Sequence, residues 1–238
     1  QAIRLAEVPL SDTTIDCCKA LNQLGAAMWW ENPQTVFHRE SKALSGGLDK
    51  VVHVGEDDFN FWLCLALSLG QVNQIKFTGG KKSNFPGLAK LKSWLPVMGA
   101  RLSSIVPSQD GLPVRLASSG LLPEQVELGS EIPAEFVCAL LLAASAWAEP
   151  IVFNLQAIDP LLTRMLELLD AYVAGVKRSG TSIAVTPGGL SLPAEPQLPP
   201  DLGTAANFLS LPAFCGGSSQ LQGHFALAGP GWNTVVKV

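Results

Sequence analysis

Hydrophobic positions along the chain fall into two alternating kinds of helical segment, separated by short strand-like runs. The first kind is amphipathic. Residues 12–25 place Ile15, Cys18, Leu21 and Leu24 on one face, with capping chemistry at Ser11-Asp12-Thr13-Thr14 and a glycine stop at Gly25. Residues 85–99 repeat this with Leu88, Leu91, Leu95 and Met98, although Pro96 removes an amide donor and predicts a kink or an early end. Residues 159–173 form the third, with Asp159 as cap and Pro160 in the first turn. The second kind is apolar on nearly every side, which predicts burial all round; it covers residues 57–69, 133–147 and 202–214. Short runs rich in β-branched and aromatic residues read as strands at 28–30, 35–38, 51–54, 75–78, 102–106, 114–116, 126–128, 151–155 and 182–185.

The two kinds recur. Helices of the first kind open at Asp12, Phe85 and Asp159, and those of the second at Asp57, Pro133 and Leu202, a spacing of 69–76 residues. Gly46-Gly47-Leu48, Ser119-Gly120-Leu121 and Gly188-Gly189-Leu190 punctuate them at matching places. Such a period is too long for a solenoid and predicts an α/β fold of tandem repeated βαβαββ units, with the buried helices as its core. Four prolines between residues 192 and 200 read as a loop or linker. Residues 1–190 are therefore expected to form one domain of repeated αβ units, and residues 191–238 the start of a second, incomplete domain or a docking tail.

Composition narrows the partners. Of 238 residues 47% are apolar and 15% charged, against roughly 25% charged in an ordinary soluble domain, so most of the chain is buried or lies against something else. A net charge of −4 speaks against a nucleic-acid or anionic-membrane partner. Lys81, Lys82, Lys90 and Lys92, the one basic cluster, read as a solvated helix start and outer face. The longest apolar run, residues 136–147, falls short of the ~18 needed to span a membrane. Gln1 is not an initiator methionine, so the chain is expected to be processed or a fragment. Cys17, Cys18, Cys64, Cys138 and Cys215 sit in or at the end of apolar helical stretches and form no C-x-x-C pair. They are expected to be buried small hydrophobes in a reducing compartment, with an organelle such as a plastid or mitochondrion as one candidate, and their spacing offers no zinc site.

Several segments in order resemble the enolpyruvyl transferase family, most closely the 5-enolpyruvylshikimate-3-phosphate synthases. Ser11-Asp12-Thr13-Thr14 leading to Leu24-Gly25-Ala26 is similar to the family's S-D-D-T helix and its L-G-A end. The apolar helix after Val54-Gly55 stands at the family's G-N-A-G-T-A-x-R element. Thr78-Gly79-Gly80, Phe85-Pro86 and Met98-Gly99-Ala100 resemble the R-P segment, and Gly129-Ser130 with residues 136–141 the S-S-Q-F-x-x-A-L-L element. Asp201, Ala205, Phe208 and Leu209 resemble D-A-S-S-A-S-Y-F-L. The resemblance covers a little over half of the family's usual length; the opening Lys-Ser and Arg element and the last repeats have no counterpart. It implies an inside-out α/β barrel, no cofactor, and transfer of an enolpyruvyl group from phosphoenolpyruvate to phosphoshikimate.

That reaction needs cations around two phosphates and a carboxylate, together with an acid/base for the methylene carbon. The residues at the matching positions are of other types. Glu56, Asp57 and Asp58 stand in the anion loop, Trp62 takes the place of its arginine, and Phe85 that of the R-P arginine. Pro133-Ala134-Glu135 replaces S-S-Q, and Ile158 and Leu161 replace the serine and tyrosine at the start of the fifth helix. Glu56, Trp62, Phe85, Glu135 and Leu161 are thus degenerate substrate stations. Asp12 and Asp201 remain in register as vestigial catalytic candidates, each also fitted to an ordinary role as helix N-cap. Glu56-Asp57-Asp58 could hold a cation, but acids at a helix start serve capping and the helix dipole. Gly79-Gly80-Lys81-Lys82-Ser83 lacks phosphate-loop spacing, and nothing resembles a nucleophile elbow.

The residues favour a non-catalytic relative of the synthases acting as a structural or accessory subunit, with other protein subunits as partners. The alternative is an active 3-phosphoshikimate 1-carboxyvinyltransferase whose remaining part lies elsewhere. A third reading is a small-molecule binder that changed its ligand.

Overall fold

The computed structural model describes residues 2–39, 48–80, 88–107, 110–173, 175–188, 192–193, 196 and 202–220. A short strand β1 (Ile3–Leu5) precedes three units. The first runs α1 (Asp12–Leu24), β2 (Ala27–Asn32), β3 (Thr35–Arg39), β4 (Lys50–His53), α2 (Asp58–Leu69) and β5 (Val72–Thr78). The second repeats it as α3 (Leu88–Trp94), β6 (Ala100–Ser104), β7 (Val114–Ser119), β8 (Gln125–Leu128), α4 (Ala134–Ala144) and β9 (Ile151–Leu155). The third contributes α5 (Pro160–Tyr172), β10 (Val176–Ser179), β11 (Ser182–Val185) and α6 (Leu202–Cys215). The tandem organisation expected from the helix spacing is present.

Sheet pairing interlocks the units. Two four-stranded sheets have the orders β4-β5-β7-β6 and β8-β9-β11-β10. In each, a parallel pair from one unit, bridged by its apolar helix, joins an antiparallel pair from the next. The third sheet has the order β1-β3-β2. Among the described residues, β1 has no parallel neighbour of the kind that β5 and β9 have.

The core lies on α2 and α4. Apolar on all sides, they pack on each other and under the sheets; Phe61, Leu65, Phe136 and Leu140 are fully buried. A ring cluster runs from Phe77 through Phe61 and Trp62 to Phe136 and Trp94. Gly70 closes α2 because the Trp147 indole lies flat against it, its Nε1 donating to the Ala66 carbonyl at 3.3 Å; any Cβ there would overlap the ring. At Gly120 the chain passes so near β5 that a Cβ would come within 2.8 Å of the Val72 amide nitrogen, which explains the glycine of that turn.

Helix α1 has two buried faces where one was expected. Ala20 and Leu24 join the main core, whereas Cys18 packs with Val8 and Val36 under the three-stranded sheet. Its cap is Ser11, whose Oγ accepts from the Thr14 amide at 3.2 Å. Asp12, expected as the cap, is instead the first helical residue. Asp57 and Asp159 do cap α2 and α5. Pro96 ends α3 as expected, the chain continuing as a 3-10 turn over Leu95–Met98.

The third unit departs from expectation. α6 was expected to be buried all round, yet Phe208, Leu211 and Phe214 are exposed, Phe214 by 84%, and only Ala205 is buried among its described side chains. The two buried helices have parallel strands on either side, and among the described residues α6 has none. Cys215, at its end, is exposed rather than buried; Cys18, Cys64 and Cys138 are buried and Cys17 partly so, all as free thiols. Trp29 is 41% exposed and packs against Phe37 with the rings tilted by 42°, and the Arg39 guanidinium lies 5.6 Å from its ring centroid. Trp232, Phe85, Asp201 and parts of the first and third Gly-Leu turns lie outside the described residues. Among the described residues no helix is long and apolar enough to cross a membrane.

Candidate functional site

Parallel strands in an open α/β sheet direct ligands to their carboxyl ends, where helix N-termini converge. Here each parallel pair ends in a depression. The first, about 640 Å³, lies between the starts of α1 and α2 at the ends of β4 and β5. Asp12, Asp16 and Lys19 reach it from α1, His53, Glu56 and Asp57 from the β4–α2 connection, and Gly80 from the end of β5. Gly55 has φ +74° and is crossed by the Asp16 carboxylate, while Glu56 lies against Gly80; a Cβ at either glycine would overlap them. The Gly80 amide donates to the Gly55 carbonyl at 2.8 Å, closing the floor.

The charge balance is acidic. Four carboxylates face Lys19 and His53. Lys19 Nζ is 3.6 Å from Asp16 Oδ1, and His53 Nδ1 is 3.2 Å from Thr78 Oγ1. The amides that would serve an incoming anion at the start of α2 are already engaged: Asp57 Oδ1 accepts from Phe59 at 3.0 Å and from Asn60 at 3.2 Å. Buried Asn60 donates through Nδ2 to the Thr13 carbonyl at 3.1 Å and locks α1 to α2. Asp58 has its carboxyl pushed above the usual range, by burial first and then by the charges of Asp57 and Glu135.

The second depression, about 630 Å³, lies at the ends of β8 and β9 and the starts of α4 and α5. Its walls are apolar, among them Leu128, Ile132, Val137, Leu155 and Leu162, with Ser130, Glu131, Gln156 and Asp159 at the rim. The cap on α4 is Pro133, which supplies no side-chain acceptor.

The expected stations do not converge on one place. Asp12 and Glu56 line the acidic depression. Trp62 is 2% exposed and belongs to the core, its ring 4.9 Å from Phe61 and 5.6 Å from Phe136 by centroids. Glu135 is exposed in the first turn of α4. Leu161 is exposed on α5 and lines neither depression; its neighbour Leu162 lines the second. Phe85 and Asp201 fall outside the described residues. Sequence reading missed Asp16, Lys19 and His53. The steps from Asp12 to Asp16 and Lys19 are helical and could have shown the first two on one face; nothing local pointed to His53.

The sequence profile of the EPSP synthase family (3-phosphoshikimate 1-carboxyvinyltransferase) matches residues 2–226. A curated 3-phosphoshikimate 1-carboxyvinyltransferase of Shewanella halifaxensis (strain HAW-EB4) is 25% identical over 213 residues, 86% of this chain and 49% of that protein. Two solved structures of EPSP synthase from Acinetobacter baumannii superpose with a TM-score of 0.64 at 18% and 19% identity. They cover 87% of this chain and 46% and 47% of theirs. The chain spans about half the length of these relatives, and its fold is theirs.

Proposed function

The chain belongs to the EPSP synthase family, and we propose that it is a non-catalytic member serving as a structural or accessory subunit of a larger assembly. The observation that carries this reading is the charge of the first depression. A phosphorylated substrate would meet Asp12, Asp16, Glu56 and Asp57, with Lys19 already beside a carboxylate. Two unit charges ~7 Å apart at an effective dielectric of ~20 interact by roughly 2 kcal/mol, so each acid opposes a phosphate dianion substantially. The core position of Trp62 leaves no guanidinium there.

Exposed apolar surface supports attachment to other subunits. α6 presents Phe208, Leu211 and Phe214 to solvent. Such surface marks contact sites. On this reading residues 191–238 act as a docking tail or as the start of a second domain. The half-length match favours the alternative, one part of an active carboxyvinyltransferase completed elsewhere.

Calorimetry with shikimate 3-phosphate, followed by a phosphate-release assay with phosphoenolpyruvate, tests the proposal. No heat and no release are expected. Saturable binding or turnover would overturn the non-catalytic reading, and a purely monomeric native particle would overturn the subunit role.

A further inference from the structure

We propose that the second depression is a binding site for a small apolar cation, of the arylalkylamine class, rather than for a phosphorylated anion. This rests on the reading that the family's phosphate chemistry has left the chain. The cavity is about 630 Å³, large enough for a single aromatic ring with a short side chain. Its floor is built from side chains that are almost wholly buried but retain a face toward the opening: Leu128, Val137, Leu155 and Leu162. An aromatic body displaces water from this floor favourably, whereas a sugar phosphate gains nothing from it.

The rim sets the charge. Among the described residues no lysine, arginine or histidine lines the cavity. Glu131 folds back over Gly129, and Asp159 sits on the opposite side at the start of α5. One Asp159 oxygen, Oδ1, accepts from the Leu162 amide at 2.8 Å, which fixes the carboxylate at the mouth. Glu135 adds negative charge nearby, since it and Asp159 both act on the Cys138 thiol of α4. The N-termini of α4 and α5 each contribute a positive dipole end, worth about half a charge apiece, against the full charges of Glu131 and Asp159, so the rim stays net negative. The rim is also preformed. Ser130 donates its amide to Gln156 Oε1 at 2.9 Å, and Gln156 donates its own amide to the Leu128 carbonyl at 3.2 Å, so the two connecting loops are tied across the opening.

The test uses the full chain, isotopically labelled, titrated with 2-phenylethylamine, with phenylacetate and with shikimate 3-phosphate while amide shifts are followed. Saturable shifts at Ser130, Gln156 and Ala157 are expected with the amine, at least about tenfold stronger than with phenylacetate. Ala157→Trp, at an exposed rim position, should abolish them without disturbing the fold. Asp159→Asn keeps a capping side chain and should weaken the amine about three- to fivefold, the worth of one partly exposed charge pair. Equal or tighter binding of phenylacetate, or amine shifts that survive Ala157→Trp, would overturn the proposal. So would a flat titration with the amine. Binding of shikimate 3-phosphate at the first depression would overturn the non-catalytic reading while leaving the amine result to stand or fall by itself.

Discussion

Trp62 separates two ways of relating this chain to an active transferase. By order along the sequence it takes the place of an arginine that would meet an anion. In the structure it lies on the α4-facing side of α2, 2% exposed, between Phe61 and Phe136. Trp62→Arg would therefore not restore a cation to the site. It would remove a buried indole, at about 3–5 kcal/mol for loss of its packing. It would also leave a guanidinium among aromatic rings, at several kcal/mol more unless the charge reaches water. The sum, roughly 6–10 kcal/mol, is comparable to the whole stability of a typical domain, ~5–15 kcal/mol. The variant should be largely unfolded, whereas Trp62→Phe, which keeps an aromatic ring, should fold and lose only part of the packing energy. Far-UV circular dichroism and urea titration of both variants decide it. A cooperative unfolding midpoint for Trp62→Arg close to that of the parent would show that position 62 reaches solvent, and the argument from burial would collapse.

Gly70→Ala should cost about 1–3 kcal/mol in urea unfolding. The glycine's φ of −73° suits any residue, so the loss would report overlap with the Trp147 ring alone. In native protein, an alkylating reagent should modify Cys215 first. Burial pushes the Cys17 thiol up to about 11, helped by Cys18 and Asp57, and the Cys138 thiol to about 12, and it raises Cys64 as well, so mass spectrometry should find these three unmodified until denaturant is added. Asp58 has a raised carboxyl pKa, so the folded state holds its proton more tightly than the unfolded state does. The stabilisation this gives is complete below the unfolded pKa and is lost as pH rises through the folded one. Asp58→Asn should thus gain stability relative to the parent as pH climbs through the acid range, and a constant difference in unfolding midpoints would contradict the shift.

The fold was legible in the sequence where burial leaves a local pattern. α2 and α4 are apolar on all sides because sheets and a partner helix surround them, and α3 with the 3-10 turn that follows it shows one face at Leu88, Leu91, Leu95 and Met98, all fully buried. β1 and β10 were not legible. They are three and four residues long, and Lys177, Arg178 and Ser179 are all exposed, so no alternation marks β10. α6 was misread because apolar composition records what a helix is suited to pack against, and among the described residues no element covers Phe208, Leu211 and Phe214. The site was legible only in part. Asp12 and Glu56 sit on capping segments with clear chemistry. Their meeting with His53 depends on α1 lying alongside β4, an arrangement held by Gln23 Oε1 accepting the amide of His53, thirty positions further along the chain, at 2.7 Å.

Fold stability and anion binding compete for the same atoms at the start of α2. A helix N-terminus leaves backbone amides without intrahelical partners, and either a bound anion or a side chain can satisfy them. Asp57 does so with two hydrogen bonds, an arrangement worth about 1 kcal/mol as a cap and up to about 1 kcal/mol more from the helix dipole. Asp58, the first helical residue, adds to the same end although its own carboxyl is partly desolvated. The loop therefore carries its anion as part of the chain. A phosphate arriving there would have to displace a covalently tethered carboxylate and then tolerate its charge nearby, so on the proposed non-catalytic reading the contacts that make α2 start well are those that oppose the family's substrates. On that reading the acids of this loop cost the fold nothing, and building an anion site here would require removing a cap as well as adding cations.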